Sequence, residues 1–181
     1  MNPVLENIRQ RRSFKQFKKE QISEEQLQLI LEAGLYAPTG NNRQGCIFTV
    51  LQGENLKRLG DAVREAFRRG ECCEKRDVPD DYVCFYNAPT LILVSEDRNN
   101  FNGNSDCACA LQNIFLAAAS LGVASCWINQ PRNTSDAPLV RALFDEFKIP
   151  KDHIVYGSAA LGFADGEPRN IERRPGRVLR P

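Results

Sequence analysis

Ser23-Glu24-Glu25-Gln26 opens the clearest helical pattern in the chain. Ser23 is placed to cap the helix and Gln26 to answer it from the third helical position. Leu27, Ile30, Leu31 and Leu35 follow at helical spacing, and Pro38 lies just beyond the end. Residues 3–11 read as a shorter helix before it. Leu56, Leu59, Val63 and Phe67 mark another amphipathic helix, with Arg64, Arg68 and Arg69 among its other residues. Leu139, Val140, Leu143, Phe144 and Phe147 mark a further one, bounded by Pro150. Short apolar runs predict strands: Ile47 to Leu51, Leu91 to Ser95 behind Pro89, Ala124 to Asn129, and Ile154 to Phe163 with Gly157 and Gly162. Lys75 to Asp81 is charged, contains Pro79 and reads as a loop. After Gly166 the pattern stops, and an extended tail is expected.

Asp106 to Leu121 is a different kind of segment. After Asp106 its only polar members besides the cysteines are Gln112, Asn113 and Ser120. A helix that is apolar on nearly every side should be covered on nearly every side. It is either the core helix of one chain or part of a subunit interface. Helices and strands alternate along the chain without a repeat or a linker, which predicts an α+β sheet with helices packed on it.

Composition narrows the function classes. The chain has 181 residues, with 24 basic against 23 acidic side chains and a formal net charge of +1. That balance supplies little electrostatic drive toward nucleic acid. The longest apolar stretch, Ile114 to Ala119, is far short of the ~20 residues a membrane span needs. The opening Met-Asn-Pro-Val-Leu-Glu has no basic segment followed by an apolar one, so a cytoplasmic protein is expected. The seven cysteines, Cys46, Cys72, Cys73, Cys84, Cys107, Cys109 and Cys126, are an odd number and lack Cys-x-x-Cys spacing. They read as small buried hydrophobes rather than as a disulfide framework or a zinc site. His153, the only histidine, reads as a loop residue or the first residue of a strand rather than a catalyst.

Within this neutral chain the cations are unevenly placed. Arg11, Arg12, Ser13 and Lys15 gather donors near the start, and Arg173, Arg174 and Arg177 gather them near the end. Arginine offers a planar fork that meets two oxygens of a phosphate at once. The two clusters are either solvated separately or gathered around one anion. No GxxxxGK[ST] or GxGxxG is present, so neither a P-loop nor a Rossmann site is supported.

Arg-Arg-Ser-x-Lys-x-Phe at 11–17 resembles the opening motif of the nitroreductase family. Ala37-Pro38-Thr39-Gly40-Asn41-Asn42-Arg43-Gln44 is similar to its Ala-Pro-Ser-x-x-Asn-x-Gln segment. Leu121-Gly122-Val123-Ala124-Ser125-Cys126-Trp127-Ile128 resembles its Leu-Gly-x-x-Ser-x-Trp-Ile strand. Ala160-Leu161-Gly162, then Glu167-Pro168 and Arg173-Arg174-Pro175, resemble its C-terminal end.

The resemblance implies one domain over residues 1–181, with a mixed sheet flanked by helices, in an intertwined homodimer that holds non-covalent FMN at its interface. It implies that Arg11, Arg12 and Ser13 hold the phosphate and the pyrimidine side, that Arg173 and Arg174 complete the phosphate site, and that Lys15 sits near the N1/O2 edge. Pro38, Thr39, Gly40 and Asn42 would reach the flavin from the other subunit, and Ile128, Asn129 and Gln130 would line the ring near N5. The implied activity passes two electrons from NADH or NADPH to a small electron-poor acceptor (a nitroaromatic, quinone or enone) by a ping-pong mechanism. No side chain stands out as acid or base. A flavin-binding sensor or carrier, and a specialised branch such as a reductive dehalogenase or a flavin-fragmenting enzyme, are the alternatives. The chain departs from the family pattern at Gln44-Gly45-Cys46, where Gln-Pro-Trp is usual, and at Asn129-Gln130, where an acidic-Gly pair is known. Lys75 to Phe101, with Tyr82, Phe85, Tyr86 and Phe101, is expected to set substrate choice.

Overall fold

A computed structural model describes residues 2–71, 74–168 and 171–180. The chain runs α1 (Pro3–Gln10), α2 (Glu24–Leu35), β1 (Ile47–Gln52), α3 (Gly53–Arg69), β2 (Thr90–Asp97), α4 (Gly103–Ser120), β3 (Ala124–Ile128), α5 (Gln130–Asn133), α6 (Pro138–Glu146) and β4 (His153–Gly162). The predicted capping box is formed: Ser23 Oγ accepts from the Gln26 N–H at 3.1 Å, and Gln26 Oε1 accepts from the Ser23 N–H at 3.1 Å. α3 stops at Gly70, whose φ of 70° lets the chain turn away.

The strands lie in the order β1-β2-β4-β3, and every ladder between them is antiparallel. Among the described residues the one parallel contact is the bridge of Ser13 to Ser125, which makes the sheet mixed at the edge of β3. β2 is apolar without alternation because both of its faces are covered. Leu91 and Leu93 pack with Leu59, Val63 and Phe67 of α3 and Phe144 of α6. Ile92 and Val94 pack with Ile30 of α2 and Leu111, Ile114 and Ala118 of α4.

β4 changes face within its own length. The register slips between Val94 and Ser95, leaving Tyr156 as the extra residue of a bulge. Val155 therefore joins the α3 side while Ala159 joins the α4 side, although simple alternation would put them together.

α4 serves as the core helix of this chain, burying Cys107, Ala110, Leu111, Ile114, Phe115 and Ala118. Its opposite side is not covered by the chain itself: Cys109 and Gln112 are exposed, and Leu116 and Ala119 are half-buried. Cys109 thus departs from the expectation of buried cysteines, whereas Cys84, Cys107 and Cys126 meet it. Cys72 and Cys73 lie outside the described residues. His153 opens β4, buried, with Nδ1 3.4 Å from Ser95 Oγ. No helix among the described residues is long and apolar enough to cross a membrane.

Candidate functional site

The N-terminal basic segment is stitched to the end of the sheet. Beside the Ser13–Ser125 bridge, the Phe14 N–H donates to the Ser125 carbonyl at 3.0 Å. Phe17 is buried and bridges Ala164, and the Lys18 N–H donates to the Phe163 carbonyl at 2.9 Å. Phe17 turns into the core while Ser13 and Lys15 are exposed and Arg11 is half-buried, so this segment does not alternate as a regular strand would.

Arg11 meets the other end of the chain. Its guanidinium is pushed below the ordinary arginine value first by desolvation, then by Arg173, then by Arg12. Arginine stays charged nonetheless, so this is a place where cations crowd. Among the described residues no carboxylate forms an ion pair with Arg11, Arg12, Lys15, Arg173 or Arg174. Crowded, unpaired cations are the arrangement that an added anion stabilises.

Two cavities meet at Ser13. One of about 200 Å³ is lined by Arg11, Ser13, Gln112, Phe115, Ser125, Cys126 and Trp127. The other, of about 390 Å³, is lined by Arg12, Ser13, Phe14, Lys15, Gln16 and residues 166–168 and 171. A further cavity of about 390 Å³, between α3 and residues 83–89, touches none of the expected cofactor residues.

Lys15 reaches over the Tyr86 ring, with Nζ 5.5 Å from its centroid, and its charge is felt by Cys126 on β3. Gln130 Nε2 donates to the Tyr82 hydroxyl at 3.2 Å. Burial pushes the Tyr82 phenol above its ordinary value, and the Gln130 hydrogen bond pulls the other way. Asn129 Oδ1 accepts from Trp127 Nε1 at 2.6 Å. The Ile128 side chain lies in the core, and its carbonyl accepts from Ser158 Oγ. Of the aromatics expected to shape the pocket, Phe85 is in the core and Phe101 is fully exposed, which leaves Tyr82 and Tyr86 beside Lys15 and Gln130.

Residues 38–44 are held elsewhere. The Gly40 N–H donates to Asp106 Oδ1 at 2.9 Å, and the Gln44 N–H to Thr39 Oγ1 at 3.0 Å. Pro38 and Asn42 are exposed on this loop. It lies against the first turns of α4, whereas the Arg11 cavity lies at Gln112 and Phe115. From Asp106 to Phe115 the helix rises ~14 Å. One chain therefore joins Arg11, Arg12, Ser13, Lys15 and Arg173 but keeps Pro38, Thr39, Gly40 and Asn42 away from them.

Backbone strain marks the same segments. Asn41, Asn42 and Gln44, and then Tyr86 and Asn87, have φ between 53° and 58°. Asparagine tolerates this region, but glutamine and tyrosine seldom enter it. Such residues persist where the surroundings over-determine them, often around ligands. Sequence reading had no signal for the Gln130–Tyr82 pair, which joins residues far apart in the chain. It had one for Asp106, a carboxylate at the head of an apolar helix.

The model of the nitroreductase family matches residues 8–163. The chain belongs to the nitroreductase family. It is 38% identical to a nitroreductase from Bacteroides fragilis whose crystal structure contains bound FMN, with a TM-score of 0.94 over 99% of this chain and 98% of that one. An FMN-bound nitroreductase from Desulfitobacterium hafniense is 26% identical, with a TM-score of 0.85 over 100% of both chains. A protein of Archaeoglobus fulgidus, whose name proposes an NADH dehydrogenase or NAD(P)H nitroreductase, is 30% identical over 92% of this chain and 88% of its own length. In this nitroreductase-family chain Arg173 and Arg174 lie beyond the matched span, so the approach of Arg173 to Arg11 is a finding of the structure alone.

Proposed function

We propose that this nitroreductase-family chain is a single FMN-binding domain that passes two electrons from NADH or NADPH to a small electron-poor acceptor. The observation that carries the reading is the crowding of Arg11, Arg12 and Arg173, with which no carboxylate among the described residues forms an ion pair. A doubly charged phosphate monoester fits that need. Bound FMN would supply the two-electron chemistry that no side chain here offers. Arg11, Arg12, Ser13, Arg173 and Arg174 would hold its phosphate. Lys15 would keep a fixed cation beside the ring, where reduction builds negative charge. Ile128, Asn129 and Gln130 would line the ring near N5. Pro38, Thr39, Gly40 and Asn42 would come from a second copy of the chain; within one chain their loop is tied ~14 Å along α4 from the Arg11 cavity. The exposed apolar side chains of α1, Val4, Leu5 and Ile8, are surface that such a copy would cover. Donor and acceptor would occupy the same face in turn, which gives ping-pong kinetics.

The test is optical. Purified protein should be yellow and should release FMN on denaturation. Reduced nicotinamide added without air should bleach it, and a quinone or nitroaromatic added next should restore the colour. A protein that takes up FMN but is bleached only by dithionite or light would be a flavin-binding sensor or carrier instead.

A further inference from the structure

Cys46 and Cys107 are far apart in sequence, yet their Sγ atoms lie 3.6 Å apart. The Gln44-Gly45-Cys46 departure from the family pattern brings this about. Residues 40–46 are seated closely on the N-terminal end of α4 and the strand before it. A Cβ at Gly40 would come within 2.7 Å of Asn102 Cγ, and a Cβ at Gly45 within 2.7 Å of Glu96 Cδ. The Gly40 N–H is tied to Asp106, the residue before Cys107. The segment that carries Cys46 is therefore clamped from both sides against the helix that carries Cys107.

The two thiols are not equivalent. Cys46 is half-buried and lines a cavity of about 250 Å³ with Thr39, Gln44, Phe48 and Ala110. A small reagent can reach it there. Cys107 is fully buried, and Glu96 and Asp106 beside it are buried carboxylates, each with one oxygen that accepts no hydrogen bond. The Cys107 thiol is pushed well up, first by its hydrogen bond to Cys46, then by burial and by those carboxylates. Either sulfur can donate in the contact between them, and Cys107, sealed in beside two carboxylates, holds its proton. An outer sulfur open to a cavity and an inner one sealed in the core make a pair with distinct roles.

We propose that Cys46 and Cys107 are a redox modification site, oxidised to an intrachain disulfide by a small hydroperoxide. The Cys46 thiolate attacks the peroxide: an S–O bond forms, the O–O bond breaks, and the alcohol or water leaves with a proton taken from solvent. Cys107 then attacks the Cys46 sulfur as its proton passes to the departing hydroxyl: the S–S bond forms, the S–O bond breaks, and water leaves carrying the Cys107 proton. The two thiols lose two electrons and the peroxide gains them. The sulfurs must close from 3.6 Å to ~2.05 Å, which falls to side-chain rotation at Cys46, the sulfur that borders a cavity. The product fixes that segment to α4 covalently.

The experiment uses the full-length protein, fully reduced and then freed of reductant. After hydrogen peroxide treatment the remaining thiols are alkylated, and the digest is read by mass spectrometry. The expected product is a peptide pair joined through Cys46 and Cys107, two hydrogens lighter than its parts and separated by dithiothreitol. Non-reducing electrophoresis should keep it in the monomer band. Cys46→Ala and Cys107→Ala should each abolish the link, and Cys109→Ala should leave it intact. The proposal is overturned if both cysteines stay alkylatable, if Cys46 proceeds to sulfinic acid without a link, or if the link runs between copies. Should a variant fail to fold, the wild-type digest alone decides.

Discussion

Arg11 keeps its charge beside Arg12 and Arg173, and the cost of that crowding would fall if a phosphate bound there. Arg11→Ala should weaken FMN binding by ~1.5–3 kcal/mol, or ~10- to 100-fold. Riboflavin, which has no phosphate, should bind almost as before. Equal losses for the two ligands in a fluorescence titration would show that Arg11 supports the fold instead. Cys84 sets a different residue-scale expectation. Burial pushes its thiol up to about 12. The unfolded chain releases that proton near ~8.5. Between those values the unfolded state binds fewer protons, so stability falls as pH rises. The contribution is complete below ~8.5 and is lost progressively toward 12. Urea midpoints should therefore decline through this range, and decline less steeply in Cys84→Ala. Parallel slopes in the two proteins would remove Cys84 from the account.

At the scale of elements, the helices and strands were legible because each carries a local pattern. The capping box, the Leu27–Leu35 spacing and the apolar runs all formed as read. What stayed hidden depends on contacts between distant segments. The α4 helix begins at Gly103 rather than Asp106, because its polar first turn carries no apolar signal. The short α5 was hidden in Gln130-Pro131-Arg132-Asn133, too brief for any periodicity. The β4 bulge follows from pairing with β2 and has no signature in either strand. Gly157 shows what the sheet then demands. A Cβ there would lie 2.7 Å from Leu111 Cδ1 of α4 and 2.7 Å from Trp127 Cζ2 of β3. Leu111 is completely buried and has no room to withdraw. Gly157→Ala should destabilise the fold by ~1–3 kcal/mol through overpacking. Thermal denaturation checks it, and an unchanged midpoint would mean that α4 can lift from the sheet.

At the scale of the whole molecule, the candidate site is split. The family resemblance assigned Pro38, Thr39, Gly40 and Asn42 to the other subunit, but no local pattern along the chain says which residues share a face. In the structure Arg11 and Arg173 meet near Phe115, while the Thr39–Asn42 loop is fixed at Asp106, ~14 Å away along α4. A two-fold dimer would bring one set from each copy to each of two equivalent sites. That arrangement has a consequence that a self-contained site lacks. Arg11→Ala and Asn42→Ala homodimers should each have two damaged sites. In a mixed dimer one site collects both substitutions, and the other collects the intact Arg11 of one chain and the intact Asn42 of its partner. If the two variants are unfolded together in equal amounts and refolded, about half of the dimers should be mixed, each with one whole site. FMN binding and turnover should then recover to about a quarter of the wild-type level under two-fold symmetry. Light scattering should show a dimer throughout, with an interface above ~2,000 Å². Recovery no greater than the average of the two variants would mean that each chain builds its site alone.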